Sequence, residues 1–89
     1  MPAIINQQQI IADLKSFMTK ESGFSFDGEA DDDMELQSLG LVDSMMMISI
    51  MAYCEARFEC AVDPDDFTEE NFRSIRTLSQ MIAAKLAAQ

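Results

Sequence analysis

The apolar residues of the chain recur at helical spacing in three long segments. In the first, apolar residues lie three or four positions apart and polar residues fill the opposite side. That apolar stripe consists of Ile10, Ile11, Leu14, Phe17 and Met18. Gly23 follows the stripe, and glycine is the residue that most often ends a helix. We therefore predict a first helix from about Ile4 to Lys20.

The second segment, residues 44–58, has the strongest helical pattern and is apolar on almost every side. Its predicted apolar face contains Met45, Ile48, Met51, Ala52 and Phe58, with Ile50 and Cys54 beside it. Met46, Met47 and Tyr53 fall on sides that would be expected to face water. A helix of this kind is usually the buried centre of a bundle, but a small domain cannot easily cover all of it. The pattern therefore fits both a buried central helix and a helix with an exposed docking face.

Two more helices are predicted after the second segment. Thr68 is suited to start a short helix that ends near Phe72, because Thr caps helices and two acids follow it. Ser74 is suited to cap the last helix, in which Ile75, Leu78, Ile82 and Leu86 recur at helical spacing. The predicted fold class is all-α: a small four-helix bundle with three long helices and one short, a long loop between helices 1 and 2, and helix 2 at its centre.

Composition narrows the possible functions. The 89 residues are 48% hydrophobic, which predicts a single domain over residues 1–89. Sixteen acids against six bases give a net charge of −10, which disfavours nucleic acid as a partner. The chain has no His and no Gly-rich phosphate loop, so we expect a non-catalytic protein. It shows no transmembrane segment and no signal peptide, so we expect a cytoplasmic location.

Neither a metal site nor a disulfide is predicted. Cys54 and Cys60 are expected to be buried, reduced thiols, because no metal-ligand spacing surrounds them. A calcium sensor is an alternative for an acidic, helical, Met-rich chain. However, a calcium loop started at Asp27 or at Asp31 lacks glycine at the position that requires it.

The six residues from Gly40 to Met45 mark the start of the second helix. Asp43 is suited to the N-cap position, with its carboxylate accepting from backbone N–H groups of the first turn. Ser44 is then the first helical residue, with its hydroxyl on the outside. An anionic group attached there would lie beside unpaired N–H groups and the positive end of the helix dipole. From these six residues alone, a helix N-cap without an attached group explains the pattern better.

Together with its surroundings, this segment resembles the acyl carrier protein family, which comprises phosphopantetheine-binding carrier proteins. The resemblance covers nearly the whole chain and rests on the first amphipathic helix, on Leu39-Gly40, on Asp43-Ser44-Met45, on Glu55-Ala56-Arg57-Phe58 and on Ser74-Ile75. It implies an acyl-carrier-like bundle in which Ser44 carries 4'-phosphopantetheine, taken from coenzyme A, as a phosphodiester. It also implies that Asp43 helps to orient the transferase and its metal. Ser38, Ser49 and Ser74 fit the attachment site less well.

The resemblance further implies that the arm holds an acyl or aminoacyl group as a thioester. The implied partners are a phosphopantetheinyl transferase, an acyl- or aminoacyl-activating ligase or acyltransferase, and downstream biosynthetic enzymes. Two residues separate Gly40 from Asp43, whereas fatty-acid carriers commonly have one. This spacing is similar to that of D-alanyl carrier proteins and other free-standing carriers. We therefore expect a dedicated pathway: polyketide, nonribosomal peptide, aminoacyl or specialised lipid.

The second helix also differs from fatty-acid carriers in its charge. Fatty-acid carriers usually present several acids there, whereas the first acid of this helix is Glu55. We therefore predict partner docking through a largely apolar surface formed by Met45, Met46, Met47, Ser49, Tyr53 and Glu55. The alternative function is a helical adaptor without a prosthetic group, which would bind partners through Met46, Met47 and Tyr53.

Overall fold

Three α-helices form the frame of the computed structural model, which describes residues 6–88. They are α1 (Gln7–Ser22), α2 (Ser44–Phe58) and α3 (Ile75–Ala88), and short 3-10 turns at Glu29–Asp33 and Pro64–Asp66 lie in the two connections. No strand occurs within residues 6–88, so the all-α prediction is confirmed. None of the helices in this range is long and apolar enough to cross a membrane.

Both ends of α1 are fixed by local hydrogen bonds. The Asn6 side chain accepts from the backbone N–H of Gln9 at 2.8 Å, which makes Asn6 the N-cap. At the other end, Gly23 has a φ of +79° and its N–H donates to Thr19 O at 2.8 Å. The predicted end is confirmed, whereas the predicted start at Ile4 lies outside the described residues. Asn6, predicted inside the helix, stands before it as the cap.

The central helix is α1. It packs against both α2 and α3, whereas α2 and α3 approach each other closely at few points. The prediction that the second helix is central is therefore wrong. The narrow α1 stripe of Ile10, Leu14 and Met18 is completely buried. The periodicity predicted the wrong central helix because α2 is apolar on several sides. The pattern alone does not reveal which of these sides a neighbouring helix covers.

The predicted fourth helix is a single turn. The N–H of Phe72 donates to Thr68 O at 3.2 Å, and the N–H of Arg73 donates to Glu70 O at 3.3 Å. The bonding goes no further, because Ser74 caps α3 at once: the N–H of Thr77 donates to Ser74 Oγ at 3.1 Å. One isolated turn gains too few hydrogen bonds to offset the cost of helix nucleation. The four-helix count is therefore wrong, whereas the Ser74 cap is confirmed.

The long first connection is fastened to the helices by apolar and ionic contacts. Leu36 is completely buried, and its N–H donates to Arg73 O at 2.8 Å, just before α3. Asp32 is buried and forms ion pairs with Lys15 of α1 and with Arg76 of α3, the second at 3.6 Å. These contacts hold the middle of the loop, from Asp32 to Leu36, against α1 and beside the N-terminus of α3.

Side chains from the helices and both connections share one core. Its buried members are Ile10, Leu14, Met18, Leu36, Val42, Ile50, Met51, Cys54, Phe58, Cys60, Phe72, Ile75, Leu78 and Ile82. Cys54 and Cys60 are both free and buried, as predicted.

Candidate functional site

Ser44 is exposed at the first position of α2. Asp43 precedes it in an extended conformation, and Asp43 Oδ1 accepts a hydrogen bond of 2.8 Å from the N–H of Met46. The carbonyl oxygen of Asp43 also accepts from the N–H of Met47 at 2.9 Å. The backbone N–H groups of Ser44 and Met45 have no hydrogen-bond partner among the described residues. The start of α2 therefore offers free donors beside an accessible hydroxyl.

A turn over residues 36–40 brings the chain to this position. The N–H of Gly40 donates to Gln37 O and that of Leu41 donates to Leu36 O, both at 3.0 Å. Gly40 has a φ of +71°, a left-handed conformation that glycine adopts without steric cost. Val42 is then buried in the core, so the next two residues emerge at the surface. The local sequence thus fixes the backbone on which Ser44 is presented.

The start of α2 suits a covalently attached phosphate. Such a group on Ser44 Oγ would lie beside the free N–H groups and at the positive end of the helix dipole. The cap uses Asp43 Oδ1 and leaves Asp43 Oδ2 outside it. Among residues 6–88, the Ser44 hydroxyl has no hydrogen-bond partner, and Ser44 is exposed. Within the same range, no group of three His, Cys, Asp or Glu is arranged to hold a metal ion.

The face of α2 next to Ser44 is exposed and apolar. Met45 is 77% exposed, Ile48 is 61% exposed and Ala52 is also exposed; we call these three residues the apolar α2 face. The opposite side buries Ile50, Met51, Cys54 and Phe58. The predicted apolar face of the helix is therefore divided. Its members Met51 and Phe58 enter the core, whereas Met45, Ile48 and Ala52 face solvent.

The structure separates the residues predicted for docking into two groups. Ser49 and Glu55 are exposed on the same side of α2 as Met45, and Met46 and Met47 are half-buried against the core. Met45, Ser49 and Glu55 are therefore accessible from the surface that bears Ser44.

Tyr53 lies on the α1 side of α2. Its ring stacks on Phe17 with 4.3 Å between centroids, and its hydroxyl donates to Asp13 O at 3.3 Å. Arg57 reinforces this contact through an ion pair of 3.0 Å with Asp13. Burial, followed by the nearby Asp13 charge, raises the pKa of Tyr53, so the phenol stays protonated and donates. Tyr53 therefore joins α2 to α1.

Ile48 and Ala52 are exposed near the site and were not among the residues predicted for docking. A signal for them was present, because on a helix drawn at 100° per residue both fall within the arc between Glu55 and Ser49. Polar residues at the two edges of an arc indicate that the arc faces water. The apolar residues continue along all of α2, however, and that longer pattern predicted one apolar face that included both residues.

Two comparisons with known proteins agree with this site. The family model described as "Phosphopantetheine attachment site" matches residues 23–82, which include the loop, Ser44 and all of α2. Aminoacyl carrier protein 1 from Bradyrhizobium diazoefficiens is 36% identical over 52 residues, which are 58% of this chain and 57% of the relative. The alignment thus spans little more than half of that relative. The chain belongs to the acyl carrier protein family, the proteins that carry a 4'-phosphopantetheine group.

Proposed function

We propose that this chain is a carrier that receives 4'-phosphopantetheine on Ser44 and presents an aminoacyl or acyl thioester to enzymes of a dedicated pathway. The observation that carries the proposal is the exposed Ser44 hydroxyl at the capped N-terminus of α2, inside the segment that matches the family. Other serines are less suited to attachment. Ser38 Oγ donates to Glu35 at 2.7 Å, Ser74 is buried as a cap, and Ser49 lies inside α2.

Asp43 and the α2 backbone have distinct roles in this proposal. Asp43 Oδ1 keeps the first turn of α2 in place and thereby holds the backbone that presents Ser44. Asp43 Oδ2 is left to help orient the divalent metal of the phosphopantetheinyl transferase. The free N–H groups of Ser44 and Met45 stabilise the negative charge of the phosphodiester. When attached, the arm supplies a terminal thiol for the cargo, and tethering raises the cargo's effective concentration at a docked enzyme.

The apolar α2 face is the proposed docking surface for partner enzymes. Met45 and Ile48 lie within little more than one turn of Ser44, Ala52 lies one turn further along, and Glu55 continues the exposed side. A patch of this kind marks an interaction site, and the flexible Met45 side chain can adapt to several partners. A small contact of this type favours brief docking, which a carrier needs in order to leave each enzyme.

We propose an aminoacyl group as the cargo, loaded by an amino-acid-activating ligase. Two independent features support this choice over a fatty acyl group. The curated relative is named as an aminoacyl carrier protein. In addition, two residues separate Gly40 from Asp43, which is the spacing of D-alanyl carriers rather than the common fatty-acid spacing.

We further propose that residues 1–89 form one carrier domain without catalytic activity of its own, and that it works in the cytoplasm. The alternative of an adaptor that docks through Met46, Met47 and Tyr53 has less support, because all three are half-buried and Tyr53 is bonded to α1. Partner enzymes would find Met45 and Ile48 far more accessible.

The cargo can be identified on the protein purified from its own cells under mildly acidic conditions that preserve thioesters. We expect an intact mass that exceeds the phosphopantetheine form by one aminoacyl residue, and we expect hydroxylamine to remove that residue. A long-chain acyl addition would contradict the aminoacyl proposal alone. A protein that bears no phosphopantetheine in those cells would contradict the carrier function itself.

A further inference from the structure

The first half of the connection between α2 and α3 bridges two helices that make little contact with each other. On one side, the N–H of Val62 donates to Glu55 Oε2 of α2 at 3.2 Å. On the other side, Asp66 Oδ2 pairs with Lys85 Nζ of α3 at 2.6 Å. We call residues 59–68 the strap. Asp66 also accepts from the N–H of Asp63 at 2.8 Å, so the same carboxylate shapes the strap and fastens it.

The charge of the strap makes Lys85 its main electrostatic anchor. The strap has four acids, namely Glu59, Asp63, Asp65 and Asp66, and it has neither Lys nor Arg. Lys85 also lies 3.8 Å from Asp63, whereas the other cation of α3, Arg76, is paired with Asp32 and Asp33 of the first loop. Without Lys85, Asp63 and Asp66 would lose the cation that they share, and the repulsion between these two carboxylates would increase.

The strap lies between two buried phenylalanines, Phe58 at the end of α2 and Phe72 beyond the strap. Beyond its C-terminal end, Phe72 is completely buried, and Arg73 O accepts from the N–H of Leu36. At its N-terminal end, the one buried side chain is Cys60, whose thiol makes a long contact of 3.8 Å with Cys54 O. An opening motion would therefore turn about these two anchors and lift Cys60, the buried side chain between them, out of the core.

We propose that the Lys85–Asp66 ion pair is a latch that keeps the strap closed over the core, and that breaking it opens residues 59–68 while the three helices stay folded. The pair is accessible to water and salt, because the Lys85 and Asp66 side chains are 20% and 19% exposed. A cationic group of a partner that competes for Asp66, or a higher ionic strength, would thus open the strap. The helices have their own anchors, since α1 packs against both α2 and α3.

Cys60 reports this opening, and Cys54 provides an internal reference. Burial raises the pKa of both thiols, that of Cys54 to about 12, so both react slowly with alkylating reagents in the closed state. Cys54 lies inside α2 and is completely buried, so its exposure requires α2 to unfold or to separate from the core. Cys60 needs only movement of the strap. Opening of the strap therefore accelerates the alkylation of Cys60 selectively.

The test measures the iodoacetamide alkylation rate in two backgrounds, Cys54→Ala to follow Cys60 and Cys60→Ala to follow Cys54. Each background carries Lys85→Met, Asp66→Asn, both changes, or the control Lys20→Met. Lys20 is a last-turn cation of α1 without an ion pair in the described part of the chain. We expect either latch variant to accelerate Cys60 alkylation about three- to fivefold, as for a moderately exposed ion pair. The double variant should be no faster, and Lys20→Met should match the wild type.

The two latch variants change the charge near Cys60 in opposite directions, so an increase in both cannot come from a direct effect on the thiol pKa. Added salt should accelerate Cys60 alkylation in the wild type and have little effect in Lys85→Met. The latch would be refuted by unchanged Cys60 rates, by rates that move in opposite directions in the two variants, or by additive effects in the double variant. An equal acceleration of Cys54 would show general unfolding instead and would also refute it.

Discussion

The carboxylate of Asp43 accepts a hydrogen bond of 2.8 Å from the backbone N–H of Met46 and thereby fixes the first turn of α2 around Ser44. This single contact joins the stability of the helix to the presentation of the attachment residue. The two roles can be separated experimentally, because asparagine retains the side-chain oxygen that caps the helix but lacks the negative charge.

Replacement of Asp43 tests both roles. Asp43→Ala removes the cap and should lower the free energy of unfolding by about 1 kcal/mol, measured by urea denaturation. Asp43→Asn should stay close to the wild type in the same measurement. Both variants should be modified more slowly by a phosphopantetheinyl transferase, because neither offers a carboxylate to its metal. If Asp43→Asn is modified at the wild-type rate, Asp43 serves only as a cap.

The apolar α2 face should matter for partners and not for folding. Ile48→Ala removes an exposed side chain, so the free energy of unfolding should change by no more than about 0.5 kcal/mol. Its kcat/KM as a substrate of the transferase or of the loading ligase should fall. The matched control is Ile50→Ala, two positions along the same helix, which empties a buried site and should cost about 2–5 kcal/mol of stability. Equal stability losses in the two variants would contradict the division of α2 into two faces.

Tyr53 should contribute to stability rather than to docking. Tyr53→Phe keeps the ring that stacks on Phe17 and removes the hydroxyl that donates to Asp13 O. Loss of this hydrogen bond should lower the free energy of unfolding by about 1 kcal/mol, measured by urea denaturation. Modification at Ser44 should proceed at the wild-type rate. A folded Tyr53→Phe protein that partner enzymes no longer accept would support the adaptor surface instead.

The buried carboxylate of Asp32 should be important for the first loop. Asp32→Ala leaves Lys15 and Arg76 without their shared acceptor and should cost about 2 kcal/mol, as for hydrogen bonds to charged groups. Glu29→Ala, an exposed acid of the same 3-10 turn, is the control and should have little effect. Urea denaturation of both variants compares them directly, and a similar cost for the two would show that the Asp32 ion pairs do not fasten the loop.

The Asp66–Lys85 pair gives a defined dependence of stability on pH. The hydrogen bond from Lys85 lowers the pKa of Asp66 below the ordinary value of 3.8. The unfolded chain therefore binds this proton more readily, so the contribution of Asp66 is complete above pH 3.8 and is lost as pH falls through the folded-state pKa. The stability difference between the wild type and Asp66→Asn should thus be constant near neutral pH and shrink in acid. A difference that stays constant into strong acid would contradict the lowered pKa.

Local chemistry explains which parts of the fold could be predicted from the sequence. The caps at Asp43 and Ser74 and the helix end at Gly23 depend on side chains and backbone groups within four residues, so the local sequence is sufficient to specify them. The predicted apolar face of α3 is also confirmed for Ile75, Leu78 and Ile82, which are buried. Polar residues on the other side of the helix made this face recognisable in the sequence. In these cases periodicity and capping chemistry agree.

Tertiary contacts explain what could not be predicted. The orientation of α2 depends on α1, because Tyr53 is drawn to Phe17 and Asp13, and this leaves Ile48 exposed on the far side. The burial of Asp32 likewise depends on Lys15 and Arg76, which lie far from it in sequence. A pattern along one segment contains no information about such partners.

Attachment at Ser44 is tested most directly by the intact mass of the protein after incubation with coenzyme A and a broad-specificity phosphopantetheinyl transferase. The wild type should gain the mass of one phosphopantetheine group, Ser44→Ala should gain none, and the controls Ser38→Ala and Ser49→Ala should gain as much as the wild type. Circular dichroism would establish that Ser44→Ala retains its helices. An unmodified wild type, or a folded Ser44→Ala protein that is still modified, would contradict Ser44 as the attachment residue.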